Sequence, residues 1–585
     1  MNLLSLLEQL EGDAYLSLRL FAPEGLICVT MLLLLLARMF LPSRRRLPYS
    51  VAFLGVVAAL AAALMQWPLL ALLPHLPQTA VSGFTGLLRF DLLGLFFRIL
   101  FFGFSAVFVI FLARTRLPED EDAGEFLLLY LASILGLCVM ASADHLLMVL
   151  LGMEMAGVPG YMLAGFIKSR RASGEAAVKF ALFGAAAAGV MLYGMTLLAG
   201  SLGSLHLPTL GARLAALTER SAFAAHAPVL ILGLLMLLVG IAFKFSAVPF
   251  HFWVPDVFEG AAAEVGAYLS TVSKAGALIL LIRVMAGVLG PDPTVSQIPE
   301  PAQFAAGPSE RAADSASPRS SAMRVAAIST ATADGRGALR VQPVSLPPAA
   351  AADGYSPSAT VARLLAAVIA LLAAVSCTFG NLAAYGQRNF KRLLAYSTIA
   401  HAGYMLMPVA AAAMLWRSQP DLARWALAAT ALYAAVYLIM NLGAFAATAF
   451  LRDAFRSETI DDFAGWVRVA PGLTAAVTVI MFSLIGLPPL AGFAAKFAAF
   501  ASLTYAGLWA LLVIGAANTA LSLFYYLRVV KVMVLDPPSE AVAAVRPGSG
   551  IPGTAFVSVL ALSLIVLGVL WQPLFSWAKA AAGVP

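Results

Sequence analysis

Residues 241–260 read IAFKFSAVPFHFWVPDVFEG. An apolar run carries a lysine, Lys244, near its end, and Pro249 follows. Proline removes a backbone donor and clashes with the preceding turn, so a helix breaks beside it. The freed carbonyls need polar partners, and irregular backbone at membrane depth is tolerated only where protein or a wet cavity lines it. An ionisable group at that depth costs roughly 3 kcal/mol on insertion scales, which makes it a functional candidate. The stretch predicts a discontinuous membrane helix built around a charge.

The rest of the chain agrees with that setting. Of its 585 residues, 61% are hydrophobic and 11% are charged, whereas about a quarter of a soluble domain is charged. Apolar windows of membrane-spanning length recur along nearly the whole chain. They predict an all-α polytopic membrane protein with fourteen spans, near 20–42, 50–74, 91–114, 125–142, 145–167, 176–201, 228–250, 262–290, 360–381, 392–412, 424–450, 472–499, 506–530 and 553–577.

The formal charge of +7 does not point to nucleic acid, because the basic residues gather in short loops. SRRR (Ser43–Arg46), KSRR (Lys168–Arg171) and QRNFKR (Gln387–Arg392) all follow odd-numbered spans. The positive-inside rule makes that side cytoplasmic and turns both termini outward, to the periplasmic side. The loop RTRLPEDED, Arg114–Asp122, falls inside too. Cys28, Cys138 and Cys377 lie far apart in apolar runs and form no CxxC, so buried thiols are expected rather than a metal site or a disulfide framework. The opening MNLLSLLEQLEGD lacks a cationic n-region, so no cleaved signal peptide is predicted. Residues 291–359, rich in Pro, Ser and Ala, have no sustained apolar period and predict a flexible insertion on the outer side, without an assigned function.

Five ionisable groups fall within apolar windows: Glu154, Lys244, Lys274, His401 and Lys496. Lys179, Arg283, Lys391 and Arg392 sit nearer span ends, where snorkelling to the interface accounts for them. Burial alone favours the neutral form of such groups, and an opposite charge favours the ionised form. A lysine that gains and loses a carboxylate partner therefore has a switchable proton affinity. A fixed ion pair that only holds helices together is the alternative for any one pair; five groups spread over five spans favour a proton path.

A second interrupted span, GLPPLAGFAAKF (Gly486–Phe497), again joins a proline break, Pro488–Pro489, to a lysine, Lys496. Transporters built from inverted repeats place discontinuous helices in corresponding positions. Residues 125–290 (spans 4–8) and 360–530 (spans 9–13) are then two five-helix repeats, with breaks in spans 7 and 12. A three-helix segment, 1–124, precedes them, and residues 531–585 supply a loop and the last span.

Three segments, AFKFSAVPFHFWVPDVFEG, GNLAAYGQRNFKRLLAYSTIAHAGYML and FSLIGLPPLAGFAAKF, resemble the antiporter-like membrane subunits of respiratory complex I, the NADH-quinone oxidoreductase. PDVFEG, AYSTIAHAGYM and the lysine at 496 favour the N branch over the L and M branches. The resemblance covers essentially all fourteen spans, most strongly 125–530. It implies proton translocation in a bacterial inner membrane, driven by quinone reduction in other subunits. It also implies that NADH, FMN, iron–sulfur clusters and quinone belong to partner subunits, with no cofactor bound by this chain, and that its partners are lipid and the other membrane subunits, including the other antiporter-like chains. By the same resemblance Glu154 is the fifth-span glutamate paired with Lys244, Lys274 stands at the channel centre, His401 bridges, and Lys496 leads to the exit or to a neighbour. Two departures stand out: EGAAAEV (Glu259–Val265) lacks the family's proline and adds Glu264, and the 291–359 insertion is long. A cation/proton antiporter, a membrane hydrogenase-type complex and a passive scaffold are the competing readings.

Overall fold

The computed structural model describes residues 3–41, 46–71, 80–115, 117, 122–219, 223–290, 357–543 and 553–583. Met1–Val295 and Ser356–Pro585 make one compact unit. Residues 291–356 of the predicted insertion lie outside the described residues, as do Ser43–Arg45 and most of the 114–122 loop.

All fourteen predicted spans are helical. Eleven are single membrane-length helices: Ala22–Phe40, Leu47–Ala71, Leu92–Thr115, Ala123–Ser142, Leu146–Ala164, Arg171–Leu202, His226–Phe245, Thr360–Ala384, Phe390–Leu415, Pro420–Phe455 and Trp509–Val534. Span 8, Ala263–Leu289, is also of membrane length but is interrupted at Thr271, between Ala263–Ser270 and Val272–Leu289. Span 12 is two helices, Pro471–Ile485 and Ala491–Tyr505. Span 14 departs from the straight crossing expected: Thr554–Val569 turns by 77° into Trp571–Ala581. Spans 8, 10 and 11 are buried along nearly their whole length, whereas spans 1, 2, 6 and 13 expose one side. The sequence reading did not foresee the helix Leu3–Leu20 or a short hairpin before span 3, in which Val81–Gly83 pairs with Leu88–Phe90, Val81 opposite Phe90.

Loops that the span count puts on one side do meet. Asp144 N donates to Leu87 O at 3.2 Å and Leu207 N to Asp144 O at 2.9 Å, joining the loops after spans 2, 4 and 6. On the opposite side Phe390 N donates to Glu458 O at 2.9 Å, joining the loops after spans 9 and 11.

The two breaks are alike in their backbone hydrogen bonds. Around the first break Ser246 N donates to Phe243 O, Ala247 N to Ala242 O, and Phe250 N to Ala247 O. Around the second, Gly486 N donates to Ser483 O, Leu487 N to Phe482 O, and Leu490 N to Leu487 O. Each half-helix thus ends in a Schellman cap with a left-handed residue after it, Ser246 at φ 65° and Gly486 at φ 90°. The chain stops being helical at Ser246, three residues before Pro249, so the first helix, Phe223–Phe245, ends five residues before the predicted limit at 250.

A buried ion pair that the sequence reading missed holds the three-helix segment. Arg98 of span 3 reaches Glu24 of span 1 through two bonds of 2.6 Å, and both side chains are almost wholly buried. Removing one partner strands the other charge, at a cost of about 3–5 kcal/mol, while replacing both with apolar residues is close to neutral. Arg98→Met is therefore expected to lower the melting temperature of the detergent-solubilised protein sharply, and adding Glu24→Leu to restore most of it. Thermal unfolding of both variants measures this, and equal melting of the single and double variants contradicts it.

Candidate functional site

Each of the five predicted proton-transfer residues lies on a different span, and the breaks decide what the lysines touch. In the first repeat the helix Phe223–Phe245 ends with Lys244 in its last turn, and the chain resumes as an eight-residue half-helix, Trp253–Gly260. The carbonyl of Lys244 loses its helical partner at the break. Lys274, fully buried on span 8, takes that place: its Nζ donates to Lys244 O at 3.2 Å and to the Ser246 hydroxyl, and lies 4.8 Å from the centre of the Trp253 ring. An aromatic face over an ammonium stabilises the cation where water is excluded.

Ser246 is a residue the sequence reading passed over. A left-handed C-cap position favours glycine, and a residue with a Cβ pays roughly 1–2 kcal/mol there. Glycine fills the matching position, Gly486, in the second repeat. Serine in its place supplies the hydroxyl that Lys274 uses.

Lys244 is buried and makes no hydrogen bond from its Nζ among the described residues. That nitrogen lies 3.8 Å from where a Cβ on Gly157 would stand, one turn along span 5 from Glu154. Glu154 is half-buried, and no ion pair within 4 Å joins it to Lys244. The two share a face without the contact that a fixed pair would make. His251, also passed over, is buried inside the break with its Nδ1 unpartnered and its ring against Phe379.

In the second repeat Lys496 takes the carbonyl that the other break frees. Its Nζ donates to Ile485 O at 2.9 Å and lies 4.4 Å from the centre of the Tyr404 ring. The two lysines are not in corresponding positions. In the register fixed by the matching caps, Lys244 corresponds to Leu484 and Lys496 to Asp256. The repeats converge instead on one contact, an ammonium on a carbonyl beside the break, supplied by span 8 in one and by span 12 in the other.

His401 joins this second cluster. Its Nδ1 lies 3.0 Å from the Tyr433 hydroxyl and its Nε2 lies 3.3 Å from that of Tyr526, which also bonds Ser397. Tyr404 packs between His401 and Lys496, its ring 5.8 Å from the imidazole. The structure thus brings Lys244 together with Lys274, and His401 with Lys496. No direct side-chain hydrogen bond links Lys274 to His401 among the described residues.

Two cations read as snorkelling are buried in the protein and paired. Arg283 is buried and binds Asp91 through both terminal nitrogens and Ala141 O at 2.8 Å. Burial opposes ionisation of Asp91, but Arg283, Arg89 and the Gly94 amide outweigh it and hold the carboxyl at about 2. Lys391 is wholly buried, forms an ion pair with Glu458 and donates to two backbone carbonyls. Lys179 and Arg392 are partly exposed but are paired, both to Asp256 and Arg392 also to Glu259. Glu264, the added acid, is fully buried against Arg452 at 3.1 Å. Among the described residues no three His, Cys, Asp or Glu side chains gather as a metal site requires.

Comparison with known proteins matches residues 143–298 and 355–522 to the family described as NADH:quinone oxidoreductase/Mrp antiporter, TM. The chain is 35% identical over 578 residues to NADH-quinone oxidoreductase subunit N of Anaeromyxobacter sp. (strain Fw109-5), covering 96% of this chain and 95% of that one. It is 30% identical over 583 residues to NAD(P)H-quinone oxidoreductase subunit 2 of Trichodesmium erythraeum, covering 97% and 92%. Among solved structures it is similar to a chain of respiratory complex I from Thermus thermophilus with bound aureothin, at 28% identity and TM-score 0.66, covering 95% and 98%. It shares its fold with a chain of the Mrp complex from Dietzia sp., at 16% identity and TM-score 0.71, covering 97% of both.

Proposed function

Because this chain belongs to the transmembrane family shared by NADH:quinone oxidoreductases and Mrp antiporters, we propose that it is the N-type proton-translocating membrane subunit of an NADH:quinone oxidoreductase. The lysine–carbonyl contact at each break carries the reading. An ammonium that shares its proton with a backbone carbonyl has a polar partner in either protonation state, so it can release a proton without abandoning a buried polar group.

The proton path uses the residues in spatial order. Glu154 and Lys244 face each other across spans 5 and 7. Lys274 touches the same break through Lys244 O and Ser246. His401, held by Tyr433 and Tyr526, relays toward Lys496 beside Tyr404. The step from Lys274 to His401 runs over water, since a proton needs a hydrogen-bonded carrier across any apolar gap. By the positive-inside rule the basic loops support a topology with both termini on the periplasmic side of a bacterial inner membrane. Quinone reduction drives the movement from partner subunits, which hold NADH, FMN and iron–sulfur clusters; this chain does no redox chemistry. The relatives favour this assignment over a stand-alone cation/proton antiporter, since the Mrp likeness is one of fold.

The test is to tag the chain in its native membrane, solubilise it gently, and assay NADH:quinone activity in the fraction that co-purifies. A large assembly with inhibitor-sensitive NADH oxidation supports the proposal. A chain that purifies with antiporter-type partners and no redox activity overturns it.

Glu154→Gln keeps the shape of the side chain and removes its charge. Two unit charges a few ångströms apart at an effective dielectric near 20 interact by about 2–4 kcal/mol, so proton pumping is expected to fall at least roughly tenfold while assembly persists. Proton uptake per electron in membrane vesicles measures this, and an unchanged ratio removes Glu154 from the path.

A further inference from the structure

The eight-residue half-helix Trp253–Gly260 has a lysine at each end. At its start Trp253 faces Lys274 and donates its indole N–H to Phe243 O at 3.3 Å. At its end the chain breaks again before the helix Ala263–Ser270, which leaves the last carbonyls without helical partners. Lys391 Nζ donates to Glu259 O and to Ala261 O, both at 2.8 Å, and is 2.9 Å from the Glu458 carboxylate. The side chain is wholly buried, and a cation at a helix C-terminus also complements the helix dipole.

Lys391 belongs to the other repeat. It sits in the first turn of span 10, Phe390–Leu415, the helix that carries His401 ten residues further on, about 15 Å along the axis. Glu458 is tied to the same helix start, because its carbonyl accepts from Phe390 N at 2.9 Å. This buried lysine therefore joins the second half of the broken span 7 to the helix of His401, beside the more exposed pairs of its neighbour Arg392 with Asp256 and Glu259.

We propose that Lys391 is a positioning residue for proton transfer: it fixes the far end of half-helix 253–260 and, with Glu458, couples that half-helix to span 10 of the second repeat. A shift of the half-helix at Lys274 is then passed to the His401 cluster without a proton-carrying group between them. The idea rests on the proton-translocation reading above.

Three variants of the assembled complex test it: Lys391→Met, which removes charge and donors; Lys391→Arg, which keeps both; and Glu458→Gln, which keeps shape and removes the counter-charge. Proton uptake per electron is measured in vesicles, and amide deuterium uptake in the purified complex. Lys391→Met is expected to lower the ratio about tenfold, as loss of positioning by an ångström or less does, and to raise exchange across 253–262 but not across 491–505. Lys391→Arg is expected to restore much of both, and Glu458→Gln to fall between. A normal ratio with unchanged exchange in Lys391→Met overturns the proposal; should that variant fail to assemble, a normal ratio and unchanged exchange in Glu458→Gln overturns it instead. Lys244→Ala, measured alongside, separates the two levels. If Lys244→Ala stops pumping while Lys391→Met pumps normally, the clamp is wrong and the path stands; if both pump normally, the path itself is wrong.

Discussion

Lys274→Arg is expected to assemble with its partner subunits and to stop pumping. Arginine preserves what Lys274 does for the fold. Its guanidinium can donate to Lys244 O and Ser246, and it stacks on an aromatic face such as Trp253 at least as well as an ammonium does. What it cannot do is let go of its proton, because arginine stays charged in proteins. The rate of NADH-driven proton translocation should therefore drop by about a hundredfold, the low end of what a positioned proton-transfer group contributes. Lys274→Met tests the other half of the argument. It strands the Lys244 carbonyl and the Ser246 hydroxyl, each at a cost of about 1–3 kcal/mol, so it should lose stability as well as pumping. Proton uptake in vesicles and thermal melting of the purified complex separate the two effects. Wild-type pumping by Lys274→Arg would show that residue 274 never releases its proton.

The membrane fold and the broken spans were legible because their signals are local. A lysine and a proline within one apolar run, at Lys244–Pro249 and again at Pro488–Lys496, conflict with an uninterrupted helix wherever the rest of the chain lies. The misreadings share one cause, burial by residues distant in sequence. Lys391 follows a basic loop and reads as a span end, yet the loop after span 11 folds over it and brings Glu458 to 2.9 Å. Arg283 reads as interfacial until Asp91, 192 residues earlier, supplies its counter-charge. Glu24 and Arg98 sit in separate spans, and only the packing of spans 1 and 3 against span 2 brings the two side chains together. The register between the two breaks needed the structure for another reason. Composition gives a lysine near each break, but the register comes from the capping hydrogen bonds, and those put Lys244 before its break and Lys496 after.

Gly492→Ala should disable the second repeat although it adds one methyl group. The half-helices of span 12 meet at Gly492, where a Cβ would stand 1.8 Å from Ser483 O and 2.8 Å from its carbonyl carbon. Both are backbone atoms, so no rotamer change relieves the clash, and the half-helices must part by more than an ångström. The bond from Gly492 N to the Ser483 hydroxyl, 3.1 Å, then breaks. Lys496 lies one turn further on, and the same movement draws its Nζ away from Ile485 O, now at 2.9 Å. Misplacement of about an ångström in a reacting constellation can cost roughly a hundredfold in rate, and overpacking adds about 1–3 kcal/mol of instability. Pumping is expected to fall by that factor, and Ser483→Gly is not expected to rescue it, because the obstacle is the carbonyl and not the hydroxyl. Gly189→Ala on span 6 is the control: nothing lies within 4 Å of its Cβ position, and alanine is the better helix former by up to about 1 kcal/mol. If Gly492→Ala pumps like Gly189→Ala, the approach of the two half-helices does not hold Lys496 in place.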